Sequence, residues 1–165
     1  MRNKVDYTYW ANRQGEQPWL WKDVLVKCTE TNYDANGVQT GNAEETPYLY
    51  DAIGNITSDG TWTYEWEAGR KLKQMEMEDL QHRRIVLAYA YDHNGLRTQK
   101  VVSEYDANQQ LVRVSTTDYT LHGKLVMHMK KHTVEGNTEN TEELHFFYDA
   151  NSRGCGKMCW SNVRK

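Results

Sequence analysis

Tyr50-Asp51-Ala52-Ile53-Gly54 decides the fold of this 165-residue chain, because the same phrase keeps returning. Tyr33-Asp34-Ala35-Asn36-Gly37, Tyr91-Asp92-His93-Asn94-Gly95, Tyr105-Asp106-Ala107-Asn108-Gln109 and Tyr148-Asp149-Ala150-Asn151-Ser152 repeat its opening. A phrase that recurs along one chain marks a structural unit rather than a unique active site. The aromatic ends a strand. The Asp opens a turn, because its carboxylate can accept a hydrogen bond from a backbone N–H two residues on. Asp at the first turn position and Gly at the fourth is the type I signature, and a type I turn followed by a left-handed residue makes a common hairpin loop. Gly37, Gly54 and Gly95 stand where that left-handed residue belongs. Gln109 and Ser152 replace the glycine, so those two turns are expected to be strained or of another type. Tyr119-Thr120-Leu121-His122-Gly123 keeps the aromatic-to-Gly spacing without the Asp and is counted as a further copy.

Working outward, the residues between these corners alternate. Val5, Tyr7 and Tyr9 share one face of a strand. Asp59-Gly60 is a hairpin turn followed by Trp62, Tyr64 and Trp66 on one face and Thr61, Thr63 and Glu65 on the other. Ile85, Leu87, Tyr89 and Tyr91 alternate in the same way, as do Leu125, Met127 and Met129, and Leu144, Phe146 and Tyr148. Asn12 to Pro18 reads as a polar turn, Trp19 to Thr31 fits neither period, and Gln39 to Thr46 is a polar stretch. Met75 to Arg84 mixes helical character with the look of a strand-loop-strand, and the continuing repeat favours the latter. Val134 to Thr141 reads as an exposed loop. No linker interrupts the array, so residues 1–153 are expected to form one repeat region. Residues 154–165 lose the alternation and are expected to be a frayed, non-repeat tail.

Composition narrows the function classes. Hydrophobic residues make up 38% and mean hydropathy is −0.90, too polar for a thick core, whereas 11 Tyr and 6 Trp suit a sheet with one apolar face. A net charge of −3 offers no basic face for nucleic acid. No apolar run approaches a membrane span, and the first residues carry no signal peptide. The three cysteines, Cys28, Cys155 and Cys159, make no disulfide framework. Cys155 and Cys159 with His145 lack the four-ligand spacing of structural zinc, and His128 and His132, four apart, find no third ligand by spacing. No metal or other cofactor is expected. Asp34, Asp51, Asp92, Asp106 and Asp149 all take the same turn role, which leaves no distinguished carboxylate pair for glycoside hydrolysis. No serine sits in a Gly-x-Ser-x-Gly elbow. The chain is not expected to be an enzyme.

Tyr50 through Ile56 with Asp59 through Trp66, and Tyr91 to Thr98, closely resemble the YD-repeat, or rearrangement-hotspot (Rhs), family, and the resemblance covers most of Tyr33 to Arg153. It implies hairpins that spiral into a hollow shell, as in bacterial polymorphic toxins, insecticidal toxin complexes and teneurins. It also implies export to the cell surface or outside the cell, and as partners the rest of a larger Rhs-repeat chain or an encapsulated toxin domain. Two departures matter: the repeats are too few to close a shell, and the aspartate-dependent self-cleavage motif around Asp-Pro is missing, since Pro18 follows Gln17 and Pro47 follows Thr46. No catalytic residue is carried over.

The sequence therefore predicts an all-β fold, a curved antiparallel sheet of consecutive β-hairpins forming part of a YD-repeat shell with a scaffold role. Its structural motif comprises Tyr33, Asp34, Gly37, Tyr50, Asp51, Gly54, Tyr91, Asp92, Gly95, Tyr105, Asp106, Tyr119, Gly123, Tyr148 and Asp149. Two other readings stand beside it. One is an adhesin module that presents Trp62, Tyr64 and Trp66 to a carbohydrate or protein. The other is a truncated remnant without independent function, whose open sheet edges would invite self-association.

Overall fold

A computed structural model describes residues 2–9, 24–148 and 159–163. Among them the chain is all β, with thirteen strands and no helix. It divides into two units, residues 1–70 and 71–165.

In the first unit, β1 (Arg2–Tyr9), β2 (Leu25–Tyr33) and β3 (Glu44–Pro47) form a three-stranded antiparallel sheet in sequence order. β3 is a poor strand former by composition, and all of it but Pro47 lies in the expected polar stretch, Gln39 to Thr46. It survives as an edge, where Pro47 gives up no ladder hydrogen bond. β4 (Leu49–Tyr50), β5 (Ile56–Ser58) and β6 (Thr63–Glu67) follow as short antiparallel neighbours.

In the second unit, β7 (Lys71–Glu78), β8 (Arg84–Tyr91), β9 (Arg97–Tyr105), β10 (Leu111–His122), β11 (Leu125–Glu135), β12 (Thr138–His145) and β13 (Cys159–Val163) lie side by side in chain order. Every pairing is antiparallel. The ambiguous stretch Met75 to Arg84 is thus strand, corner and strand. The loop expected over Val134 to Thr141 shrinks to Gly136-Asn137, because Glu135 and Thr138 are already paired. Gly136, at φ 57°, supplies the left-handed residue of that two-residue turn. Within the tail, Cys159–Val163 pairs with β12, and the rest of 154–165 lies outside the described residues, as do Asn12 to Pro18 and Trp19 to Asp23.

Burial is shallow throughout. Cys28 and Leu144 are the buried apolar side chains, and among the described residues none is fully enclosed. The polar side chains of Thr31, Asn55, Ser115 and Thr117 are as buried as these. On β10 and β11, Ser115 and Thr133 bond each other through their hydroxyls at 3.0 Å, which satisfies a polar pair where a thicker protein would place Val or Leu.

Candidate functional site: the repeated Asp corner

Five corners share one geometry. The backbone N–H of Asp34, Asp51, Asp79, Asp92 and Asp106 donates to the carbonyl four residues on, each at 2.9 Å. The N–H three residues on returns to the Asp carbonyl, from Gly37, Gly54, His82, Gly95 and Gln109, at 3.0–3.3 Å. Those five residues are left-handed, with φ of 79°, 84°, 60°, 80° and 61°. In every copy one carboxylate oxygen, Oδ1, accepts from the N–H two and four residues on, at 2.8–3.0 Å. Asp is suited to this place because its short side chain lets one oxygen reach both donors.

The Asp79 corner is absent from the sequence reading. Its preceding residue is Glu78 rather than an aromatic, and His82 stands in for Gly. The Gln109 corner was expected to be strained or of another type, and it is the first of these. It keeps the type and carries the strain in the backbone of Gln109. Tyr119 and Gly123 do not make this corner: β10 continues through His122, and Gly123-Lys124 is a two-residue hairpin loop closing on Leu125. Tyr148 is described, while Asp149 lies outside the described residues.

Non-glycine residues held left-handed are destabilised by roughly 1–2 kcal/mol, partly offset in any glycine variant by the entropy glycine loses on folding. His82→Gly is therefore expected to stabilise the chain by about 0.5–1 kcal/mol. The same substitution forfeits only an exposed contact, His82 Nδ1 to Glu78 Oε1 at 2.7 Å. Urea melts of the variant against the parent check the sign.

Three of the motif tyrosines do more than end a strand. The hydroxyl of Tyr50 donates to Leu25 O at 2.9 Å, that of Tyr91 to Leu72 O at 2.9 Å, and that of Tyr148 to Val126 O at 2.8 Å. Each acceptor is the first or second residue of a strand: β2, β7 or β11. Burial raises the Tyr50 phenol above its ordinary pKa. Tyr105 instead lies under the Arg84 guanidinium at 4.5 Å, and Arg97 stacks over Tyr89 at 4.1 Å.

The carboxylates carry the acid response. Hydrogen bonds from Arg83 to Asp79, and from Leu96 and Asn94 to Asp92, hold both groups below the ordinary Asp range. At Asp51 and Asp59 partial desolvation opposes ionisation, but hydrogen bonds outweigh it and these groups are also lowered. A carboxylate with a depressed folded pKa favours the folded state above its unfolded value, near 3.9, and loses that contribution as pH falls through the folded value. Stability is expected to be flat from neutral pH down to about 4 and to fall below it. Asp92→Asn keeps an acceptor oxygen but removes one titration. Thermal melts from neutral to acid pH should show a shallower acid limb in that variant.

Trp62, Tyr64 and Trp66 are half-buried, while Thr63 and Glu65 between them, and Glu67 after them, are exposed. Trp66 Nε1 donates to Ile56 O at 2.6 Å, and the Tyr64 hydroxyl donates to Asp59 Oδ2 at 2.7 Å. The polar tips of two of the three rings are thus spent on their own hairpin. An open groove of about 470 Å³ in the second unit is lined by Asp92, Asn94, Leu96, Leu121, Gly123 and Lys124. Its carboxylate, Asp92, already serves the corner.

For metal ligands, the suggested trio of Cys155, Cys159 and His145 is only partly described: Cys155 lies outside the described residues, and the register sets Cys159 opposite His145. His132 bonds Thr141 through Nδ1 at 3.1 Å and is not grouped with His128. The residues brought together are His128, Glu143 and His145. No family model matches the chain, and no curated protein matches it either.

Proposed function

We propose that this chain is a non-catalytic scaffold, a run of YD-repeat hairpins belonging to an exported shell-forming protein. The observation that carries the reading is the recurrence of one corner at five positions along the chain, with the same five-residue hydrogen-bond pattern each time. Repetition of a turn at this fidelity serves the stacking of like units, in which each hairpin is held by its neighbours. A catalytic carboxylate needs an environment unlike that of its copies. Here Asp34, Asp51, Asp79, Asp92 and Asp106 each hold two backbone N–H groups.

The test is a protection experiment on the polypeptide encoded by the whole surrounding reading frame. Limited proteolysis should spare a cargo segment while the hairpin array is intact and release it to digestion once acid opens the array. Cargo digested at the same rate before and after opening overturns the container reading. The adhesin reading makes a different prediction, a saturable change in tryptophan fluorescence with a carbohydrate panel that Trp62→Ala abolishes. The hydrogen bonds of Trp66 and Tyr64 to their own hairpin favour the scaffold.

A further inference from the structure

Register on β11 and β12 assembles three metal-ligating side chains that no spacing in the sequence announces. His128 and His145 are directly paired across the two strands. Glu143 lies two residues before His145, so its side chain emerges on the same face. The two imidazoles stack with centroids 4.5 Å apart and planes 27° from parallel. Ligand atoms of His128, Glu143 and His145 all lie within 4.8 Å of one another.

His128 Nε2 is buried and has no hydrogen-bond partner. The Glu143 carboxylate faces it, with Oε2 at 3.6 Å, beyond hydrogen-bond distance. That separation suits a shared metal. Two ligand atoms each about 2.0–2.2 Å from a tetrahedral ion are roughly 3.4 Å apart. Ligation by both rings takes the exposed His145 imidazole out of the stack, because each must aim an in-plane lone pair at the ion.

Glu143 divides its two oxygens: Oε2 faces His128, while Oε1 holds the Lys130 ammonium at 3.3 Å. Lys130 is paired with Glu143 in the register and occupies the same face. A ligating carboxylate whose second oxygen is hydrogen-bonded is the common arrangement around bound metals.

We propose that His128, Glu143 and His145 bind a divalent transition-metal ion of borderline softness, with zinc the best match to two imidazole nitrogens and one carboxylate oxygen. Three protein ligands leave one tetrahedral position for water, and the exposure of His145 keeps that position open to solvent. The ion would clip β11 to β12.

The experiment uses the whole chain, titrated with zinc chloride and, separately, with cobalt(II) as a paramagnetic probe. Zinc is expected to bind one ion per chain by calorimetry and to raise Tm, whereas equal magnesium leaves Tm unchanged. In NMR spectra of the unmodified protein, cobalt should broaden the ring protons of His128 and His145 and leave those of His93 and His132 sharp. The double variant His128→Asn/His145→Asn should lose binding by at least about tenfold while its far-ultraviolet circular dichroism keeps the parent's β signal. Unchanged zinc affinity in that variant overturns the proposal. Should the variant not fold, the cobalt spectra decide alone: broadening elsewhere with His128 and His145 unaffected, or no uptake of either ion, overturns it equally.

Discussion

Asn55→Leu is expected to destabilise the first unit by about 1–3 kcal/mol, the cost of leaving a buried polar partner unsatisfied. Asn55 is among the most buried side chains described, at 6% exposure. Its Nδ2 donates twice, to Asp51 Oδ2 at 2.8 Å and to Gly69 O at 2.6 Å. One amide thereby joins the β4–β5 corner to the turn that follows β6. Leucine keeps the same branching, offers no donor, and strands both acceptors. Asn55→Asp should be worse, because it sets a carboxylate against Asp51 and against a carbonyl. Urea melts of both variants, read for midpoint at constant slope, provide the check. A leucine variant within 0.5 kcal/mol of the parent, roughly the range of a neutral surface change, would show that the bridge has no energetic role.

Gly60→Ala should cost about 2–4 kcal/mol, combining two separable effects. Gly60 has φ 85°, which an L-residue adopts only under strain. An added Cβ would also collide with Thr46 Cγ2. Gly37 isolates the first effect, since at φ 79° it has nothing within 4 Å of the added atom. Gly37→Ala is therefore expected to cost only the backbone strain, about 1–2 kcal/mol. Truncating Thr46 to alanine removes the offending methyl, so Gly60→Ala measured with and without Thr46→Ala isolates the clash as a coupling energy. Equal losses at Gly37 and Gly60 would show that Thr46 moves aside freely.

The corners were legible because their chemistry is local. A Tyr-Asp followed by Gly three residues later needs only neighbours in sequence to specify its backbone, and the copies at Asp34, Asp51 and Asp92 fold as read. Where the local signature thins, the reading thins with it. Asp79 was overlooked because the strand before it ends in Glu78 and His82 takes the left-handed place. Gly123 was counted among the corners because spacing alone does not distinguish a two-residue hairpin loop from a longer one. The difference lies in whether Leu121 and His122 are already paired, and that is set by β11. The trio of His128, Glu143 and His145 is further from reach. It depends on which residue of β12 faces which residue of β11, and a slip of one position would send His145 to the opposite face. The sequence shows six histidines, and only the register selects two of them.

With no side chain fully enclosed among the described residues, this fold's thermodynamics should look unusual for its length. The heat capacity released on unfolding comes chiefly from newly wetted apolar area and is reduced by newly wetted polar area. A sheet so little enclosed has less of the first to expose. Its calorimetric endotherm should therefore be broad, with a heat-capacity increment below the usual 12–15 cal/mol/K per residue. The free-energy curve would then arch gently, and the protein would change little in stability between the cold room and body temperature.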